Sequence, residues 1–346
     1  MHWIGLVDHP EHVCCRYRLT AFRPFLERAG HTLELRALPR RWWTRVRLFR
    51  GLSGANVILQ RRLLSGWERV LLCQAARRLL FDFDDAVFLR DSYATRGLHD
   101  RRRLRRFAGT VRCADAVIAG NTFLAENAAR WSDPQRVHII PTCVDPYRYP
   151  LVEPVRKMGV ELVWVGSSST LEGLRAIAPL LDEVGRSLPG LCLKLICDRF
   201  LQFRDFLVLP CPWTEAGEAE EIACADIGIS WIPDDLWSRG KCGLKVLQYM
   251  AARLPVIANP VGVQVEMVRH SETGFLAATP AQWVEAVRRL ADDPGLRHQM
   301  GRAGRERVEA HYSVASGAAR WIALLDGLSV SDASQKRSSH ASAKRR

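Results

Sequence analysis

The chain has 346 residues, 48% hydrophobic and 25% charged, with ten cysteines and a formal net charge of +13. That balance fits a folded chain long enough for two α/β domains, and it excludes disorder, a collagen-like repeat and a small disulfide scaffold. No apolar run approaches the ~18 residues that span a bilayer, and the opening MHWIGLVDHPEHVCC meets charged residues too soon for a signal peptide.

The charge is unevenly placed: residues 1–150 carry a net +12 and residues 151–346 a net +1. Such asymmetry points to an anionic partner for the first half, either a membrane surface or a nucleic acid. The cysteines show no CxxC pair and no zinc spacing, and several sit in apolar stretches such as LCLKLIC. They read as small hydrophobes, reduced in a cytoplasmic protein.

Short apolar strands alternate with amphipathic helices along the whole chain, the pattern of doubly wound parallel sheets. In the first half HWIGLVD is a strand, CRYRLTAFRPFLERAGH a helix, and HTLELRAL, NVILQ and LLFDFDD are strands, with SGWERVLLCQAAR helical before the last. ADAVIAG is a strand, Asn121 caps the helix NTFLAENAARW, and VHIIPTCVDP closes the half. A linker, LVEPVRKMG, precedes the second half. There VELVWVG, LCLKLIC, ADIGISWIP and PVIANPVG are strands, and LEGLRAIAPLLDEVGRSL, EAEEIACA, GLKVLQYMAAR and AQWVEAVRRLADD are helices. A last helical stretch runs from Gly295 to about Leu328, and the Ser-rich basic tail is expected to be disordered. The expected domains are 1–150 and 151–328, with a tail over 329–346.

The segment WSRGKCGLKVLQYMAARLPVIANPVGVQVEMVRHSETGFLA resembles the nucleotide-binding signature of family 4 retaining glycosyltransferases. VWVGSSSTLEGL, ADAVIAGNTFLAENA, VHIIPTCVD and HYSVASGAARWIALL resemble further family stretches at matching places. The resemblance implies the GT-B fold: two Rossmann-like, doubly wound parallel-sheet domains facing a cleft. The second domain would bind a nucleotide sugar and the first an acceptor.

Elementary chemistry supports a donor site independently. A helix beginning near Gly243 offers unpaired N–H groups and a positive dipole end, and Lys241 and Lys245 put ammonium groups beside it. A diphosphate suits that site, and the departing nucleotide suits it better because charge builds there. Gly166, Ser167, Ser168 and Thr170, directly after VELVWV, offer a second phosphate or sugar contact. The resemblance places Gly240 and Gln248 where many family members have glutamates that touch the donor sugar and the ribose. Gln248 retains hydrogen-bonding capacity toward a ribose; Gly240 offers no carboxylate. Asp234 or Asp235 would then supply the sugar contact, or the chain is catalytically impaired.

In the first half Asp82, Asp84 and Asp85 end the strand LLFDFDD, at the edge where doubly wound sheets bind ligands. Asp84 and Asp85 are the candidate catalytic carboxylates, and the resemblance aligns Asp84 with a histidine that faces the donor sugar. DFDD also suits Mg²⁺, or a plain helix or turn cap. The family generally needs no metal, so neither metal nor cofactor is expected beyond the nucleotide diphosphate sugar as co-substrate. Arg16, Arg18 and His9 follow the first strand and are candidate substrate contacts, with surface charge as the alternative. Base recognition is expected near Cys197–Asp198 and Pro210–Trp213.

RALPRRWWTRVRLFRGL and RRRLRRF concentrate the basic charge. Trp42, Trp43 and the arginines around them suit an interfacial membrane site, against a solvated basic face with both tryptophans in the core. The leading reading is a hexosyltransferase that moves a sugar from a nucleotide sugar to a lipid-linked or anionic glycan acceptor. It would serve cell-surface polysaccharide or lipopolysaccharide synthesis, in the cytoplasm and peripherally on the inner face of the plasma membrane. A family member that binds a nucleotide sugar or glycan without transfer is the alternative. Nucleic-acid binding ranks last, because no such motif accompanies the basic runs; an epimerase leaves the Trp–Arg segment unexplained.

Overall fold

The computed structural model describes residues 1–151 and 159–343, with 330–343 by backbone alone. Two six-stranded parallel sheets carry the chain. The first holds β1 (His2–Val7), β2 (Thr32–Ala37), β3 (Asn56–Gln60), β4 (Arg78–Phe83), β5 (Ala116–Ala119) and β6 (Val137–Ile139). The second holds β7 (Glu161–Val165), β8 (Cys192–Cys197), β9 (Leu207–Pro212), β10 (Ile227–Ser230), β11 (Val256–Ala258) and β12 (Gly274–Leu276). β3, β5, β7 and β10 are buried at every residue, as strands covered by helices on both faces must be. This is why they appear in the sequence as short unbroken apolar runs.

Strand order decides where ligands go. The first sheet runs β2-β1-β3-β4-β5-β6 and the second β12-β11-β10-β7-β8-β9. In such sheets the crevice lies where the order reverses, at the carboxyl ends of the strands. That point falls between β1 and β3 in the first sheet and between β7 and β10 in the second.

Several elements differ from their sequence-based expectation. The helix expected over CRYRLTAFRPFLERAGH is broken into Val13–Arg18, a 3-10 turn Thr20–Phe22 and Arg23–Arg28, with Pro24 at the start of the last piece. LEGLRAIAPLLDEVGRSL divides at Ile177 for the same reason, Pro179 standing in the first turn of Ala178–Ser187. Residues 210–212 lie in β9 rather than in a base-recognition loop, and Gly274–Leu276 is a strand rather than only a turn. RRRLRRF opens the helix Arg101–Cys113, capped by Asp100. The last helix, Val314–Ala343, returns to the first domain, where Trp321 packs with Trp3 and Phe22. Its backbone is helical over 329–343, where disorder was expected, while residues 344–346 lie outside the described residues. The linker expected over 151–159 falls mostly on 152–158, also outside them.

Arg18 is a correction. As a candidate substrate contact it would reach the cleft, but it is fully buried, ion-paired to Asp82 and donating from Nη1 to the Ile140 carbonyl at 2.5 Å. The third residue of the strand-end acidic group is thereby consumed in the core. Arg18→Ala leaves a buried carboxylate unpaired and is expected to cost about 3–5 kcal/mol in urea unfolding. Replacing both partners, Arg18→Met with Asp82→Leu, is expected to cost much less.

Candidate functional site

The carboxyl ends of the two sheets meet across the cleft, where Asp84 and Asp85 of the first domain approach Gly240 and Lys241 of the second. β4 ends at Phe83, so Asp84 and Asp85 form the turn at the sheet edge. Arg61, directly after β3, reaches both: its guanidinium lies 3.2 Å from Asp84 Oδ1 and is paired to Asp85 Oδ2. It also contacts the Cys14 thiol, and its backbone is left-handed at φ 57°. A left-handed arginine costs energy, and the carboxylate pair holds it there. Arg61 escaped the sequence reading, although it follows the buried strand NVILQ at the first sheet's switch point. Oδ1 of Asp84 is buried and accepts no hydrogen bond.

From the second domain comes the turn Gly240–Gly243 and the helix Leu244–Ala251. Gly243 is left-handed at φ 64°, and a Cβ there would stand 3.1 Å from Val263 Cγ2. Only glycine gives this helix its start. Lys241 precedes the helix and Lys245 is its second residue, so the two flank the start rather than share one helical face. Lys241 Nζ is 3.0 Å from Asp85 Oδ1, an ion pair that joins the domains, and 4.8 Å from the Trp237 ring centroid. Lys245 Nζ lies 4.0 Å over the Trp164 ring and has no carboxylate partner among the described residues. Burial, together with the nearby Lys241 charge, pushes its ammonium down to about 7. A lysine in that state gains most from an arriving anion.

Gly240 stands where the resemblance expects an acid, and the structure gives a steric reason for glycine. A Cβ there would fall 2.7 Å from Ala86 Cβ and 2.8 Å from Ala86 N. Ala86 directly follows the acidic turn, so the glycine admits the first domain's carboxylates to the second domain's turn Gly240–Gly243. Gly240→Ala is expected to force the domains apart. Small-angle scattering would register a larger radius of gyration than that of the natural chain.

The remaining candidates are placed unequally. Gly166 and Ser167 follow β7 at the second switch point; the Ser167 amide donates to Thr170 Oγ1 at 3.2 Å and the Ser168 amide to Asp198 at 2.6 Å. Hydrogen bonds from Ser168 hold the Asp198 carboxyl below its usual range. Gln248 is buried, with its Nε2 3.4 Å from the Tyr17 hydroxyl. Tyr17 in turn donates to Glu218 at 3.4 Å, so Gln248 lies under the first domain rather than open to a ribose. Arg16 pairs with Glu215 at 2.8 Å, a second bridge between the domains. His9 is exposed on the loop after β1, its Nδ1 accepting from the Glu11 amide at 3.3 Å.

Both tryptophans of the basic segment are outside the core: Trp42 is 62% and Trp43 52% exposed. Their helix, Trp42–Arg50, packs beside Gly66–Ala75, which packs beside Arg101–Cys113. These neighbours carry exposed Trp67, Val70 and Leu104. Arg101, Arg102, Arg103 and Arg105 are exposed at the positive end of their helix, where cations are unfavourable. No described helix is long and apolar enough to cross a membrane.

Residues 237–307, which hold the turn Gly240–Gly243 and the helix Leu244–Ala251, match the family model described as glycosyl transferases group 1. Alpha-1,3/1,6-mannosyltransferase ALG2 of Homo sapiens is 39% identical over 72 residues, 20% of this chain and 17% of that protein. The Rhizomucor pusillus protein of the same name is 34% identical over 97 residues, 28% of this chain and 21% of its own length. The chain thus matches about a fifth of the length of these relatives. Among solved structures, sucrose-phosphate synthase (tll1590) from Thermosynechococcus elongatus superposes with a TM-score of 0.74 at 17% identity, over 95% of this chain and 99% of that one. Anabaena Alr3699/HepE in complex with UDP and glucose gives 0.69 at 14% identity, over 94% and 100%. The two-domain GT-B architecture is common to all three chains.

Proposed function

We propose that this chain, with its glycosyl transferases group 1 segment set in a GT-B fold, transfers a hexose from a nucleoside diphosphate sugar to a lipid-linked or anionic glycan. The observation that carries the proposal is Lys245. A desolvated lysine with no carboxylate partner among the described residues stands at the start of the helix Leu244–Ala251, which has no side-chain cap. A diphosphate would supply the missing negative charge, and the leaving diphosphate would supply more of it than the bound donor does. The UDP and glucose bound to Anabaena Alr3699/HepE make a nucleotide sugar a reasonable donor for this fold.

The chain's own residues divide the work. Lys245 and the amides at the start of Leu244–Ala251 stabilise the departing phosphate. Lys241, held by Asp85 before the donor arrives, is shared between that carboxylate and the phosphate afterwards. Asp84, ion-paired to Arg61 at the sheet edge, is the carboxylate that would act on the sugar or on the acceptor hydroxyl. Arg61 holds both aspartates in place. The close approach of Ala86 to Gly240 answers the absence of the family's usual acid: carboxylates come from the opposite domain. That contact favours a working enzyme over a binding protein. Retention of configuration is an implication of the family.

The reaction is proposed to occur on the inner face of the plasma membrane, in synthesis of a cell-surface polysaccharide or lipopolysaccharide. Exposed Trp42, Trp43 and Trp67 among arginines have the composition of an interfacial surface: rings at headgroup depth, guanidinium groups on lipid phosphates. Trp42→Ala with Trp43→Ala is expected to weaken co-sedimentation with vesicles rich in anionic lipid at least tenfold, without changing binding of a soluble nucleotide. Unchanged sedimentation would refute the membrane assignment. Transfer itself is tested by incubating the protein with candidate nucleotide sugars and a membrane lipid extract, and following nucleoside diphosphate release and glycolipid mass together. Binding without release would favour the non-transferring alternative.

A further inference from the structure

A groove of about 280 Å³ lies between the domains, beside the point where the chain crosses back from the second to the first. One wall is the first domain's Asn121 and Pro141; the other is the second domain's Glu266 and Met267. The crossover supplies four cationic or titratable side chains: Arg307, His311, Tyr312 and Arg320. Arg307 donates Nε to the Met267 carbonyl at 3.1 Å and Nη2 to the Glu266 carbonyl at 2.6 Å, so neutral groups fix it and no carboxylate neutralises it. Arg320 is exposed and has no acidic partner among the described residues. Glu266 is the one carboxylate of the lining.

The crossover is built unusually. The chain runs from the helix Pro294–Arg307 through a π-helical turn, Val308–Tyr312, into the last helix. Val144 of the first domain clamps that junction, donating to the Tyr312 carbonyl at 3.0 Å and accepting from the Val314 amide at 3.0 Å. A π turn is a frequent mark of a functional segment. Arg307 belongs to the second domain, whereas Arg320 rides on the helix packed against the first. Asn121 extends the link, since its Nδ2 donates to the carbonyls of Arg239 at 3.3 Å and Lys241 at 3.0 Å, on the phosphate turn.

We infer that this groove is a second anion site, distinct from the donor site, which binds a small diphosphate-bearing group and favours the closed arrangement of the domains. Two guanidinium groups line the groove, one from the second domain and one from the helix packed on the first; a polyanion between them would form charge-assisted hydrogen bonds to both. The volume is ample for a diphosphate. Such a group is carried either by a free effector or by the acceptor itself. The inference rests on the groove alone and stands whether or not the chain transfers a sugar.

The test is calorimetric binding of inorganic pyrophosphate to the full chain and to two variants. The natural chain is expected to show two sites. Lys241→Ala with Lys245→Ala is expected to keep one of them. Arg320→Ala with His311→Ala, both exposed and outside the structural bonds described, is expected to weaken the other at least tenfold, with recovery in Arg320→Lys. In the lysine variant, pyrophosphate is also expected to reduce the radius of gyration. A single site abolished by the lysine changes, or a second site indifferent to Arg320 and His311, would overturn the inference. Once transfer is measurable, competition between pyrophosphate and acceptor identifies the acceptor as the source, and non-competitive behaviour identifies a free effector.

Discussion

Lys245→Ala is expected to lower transfer about 10²–10³-fold, the usual consequence of removing one preorganised group that stabilises developing charge. Nucleoside diphosphate affinity is expected to fall with it. The environment of Lys245 also sets a pH signature. Its ammonium is pushed down to about 7 in the folded chain, by burial first and Lys241 second, against about 10.4 in an unfolded one. Between those values the unfolded chain binds the extra proton, so the stability contributed by this group rises with pH through that window. Below it, the folded chain carries the full cost of a buried charge. A bound diphosphate reverses the preference by holding the ammonium charged. Nucleotide binding is therefore expected to take up close to one proton at pH 8 and almost none at pH 6. Calorimetry in buffers of different ionisation enthalpy measures this uptake directly, and Lys245→Met is expected to abolish it. Equal proton uptake by the natural chain and the variant would remove Lys245 from the phosphate site.

Asp84→Asn is expected to behave differently. It keeps the shape of the turn and removes the charge proposed to act on the sugar or acceptor, so turnover is expected to drop about 10²–10⁴-fold, the range for a positioned acid or base. Nucleotide affinity should change little, because the phosphate site does not use Asp84. Asp85→Asn releases both Arg61 and Lys241 from a carboxylate. Its expected signature is a change in nucleotide affinity together with a smaller loss of turnover. A split between kcat and KM for the two variants would separate chemistry from positioning; identical losses in both would show the acidic turn acting as one structural unit.

Much of this site was legible in the sequence because its anchors are local. The strand end LLFDFDD, Gly243 and the lysines at 241 and 245 stand in short motifs, and the structure puts the two groups against each other; Gly240 read only as a missing acid, because Ala86, which explains it, comes from the opposite domain. What was illegible depends on contacts across the chain. Arg18 looks like a surface arginine until Asp82, 64 residues away, takes it into the core. Gln248 looks open to a ribose until Tyr17 arrives from the opposite domain, 231 residues distant. Arg61 gives no motif at all, and its role comes from the switch point that strand order creates. The last helix follows the same logic: its apolar face fits either domain by pattern, and Trp321 settles on the first by packing with Trp3.

The most direct test of the donor site is a thermal-shift panel of the purified protein with UDP, GDP, ADP, CMP and dTDP. At ~100 times its dissociation constant, a nucleotide that binds only the folded chain adds about 2.7 kcal/mol of stability. The expected result is a clear rise in Tm with one nucleoside diphosphate, lost in the Lys241→Ala, Lys245→Ala double variant, which would also name the donor class. No rise with any nucleotide, or a rise that the double variant retains in full, would contradict the assignment of this cleft to a nucleotide sugar.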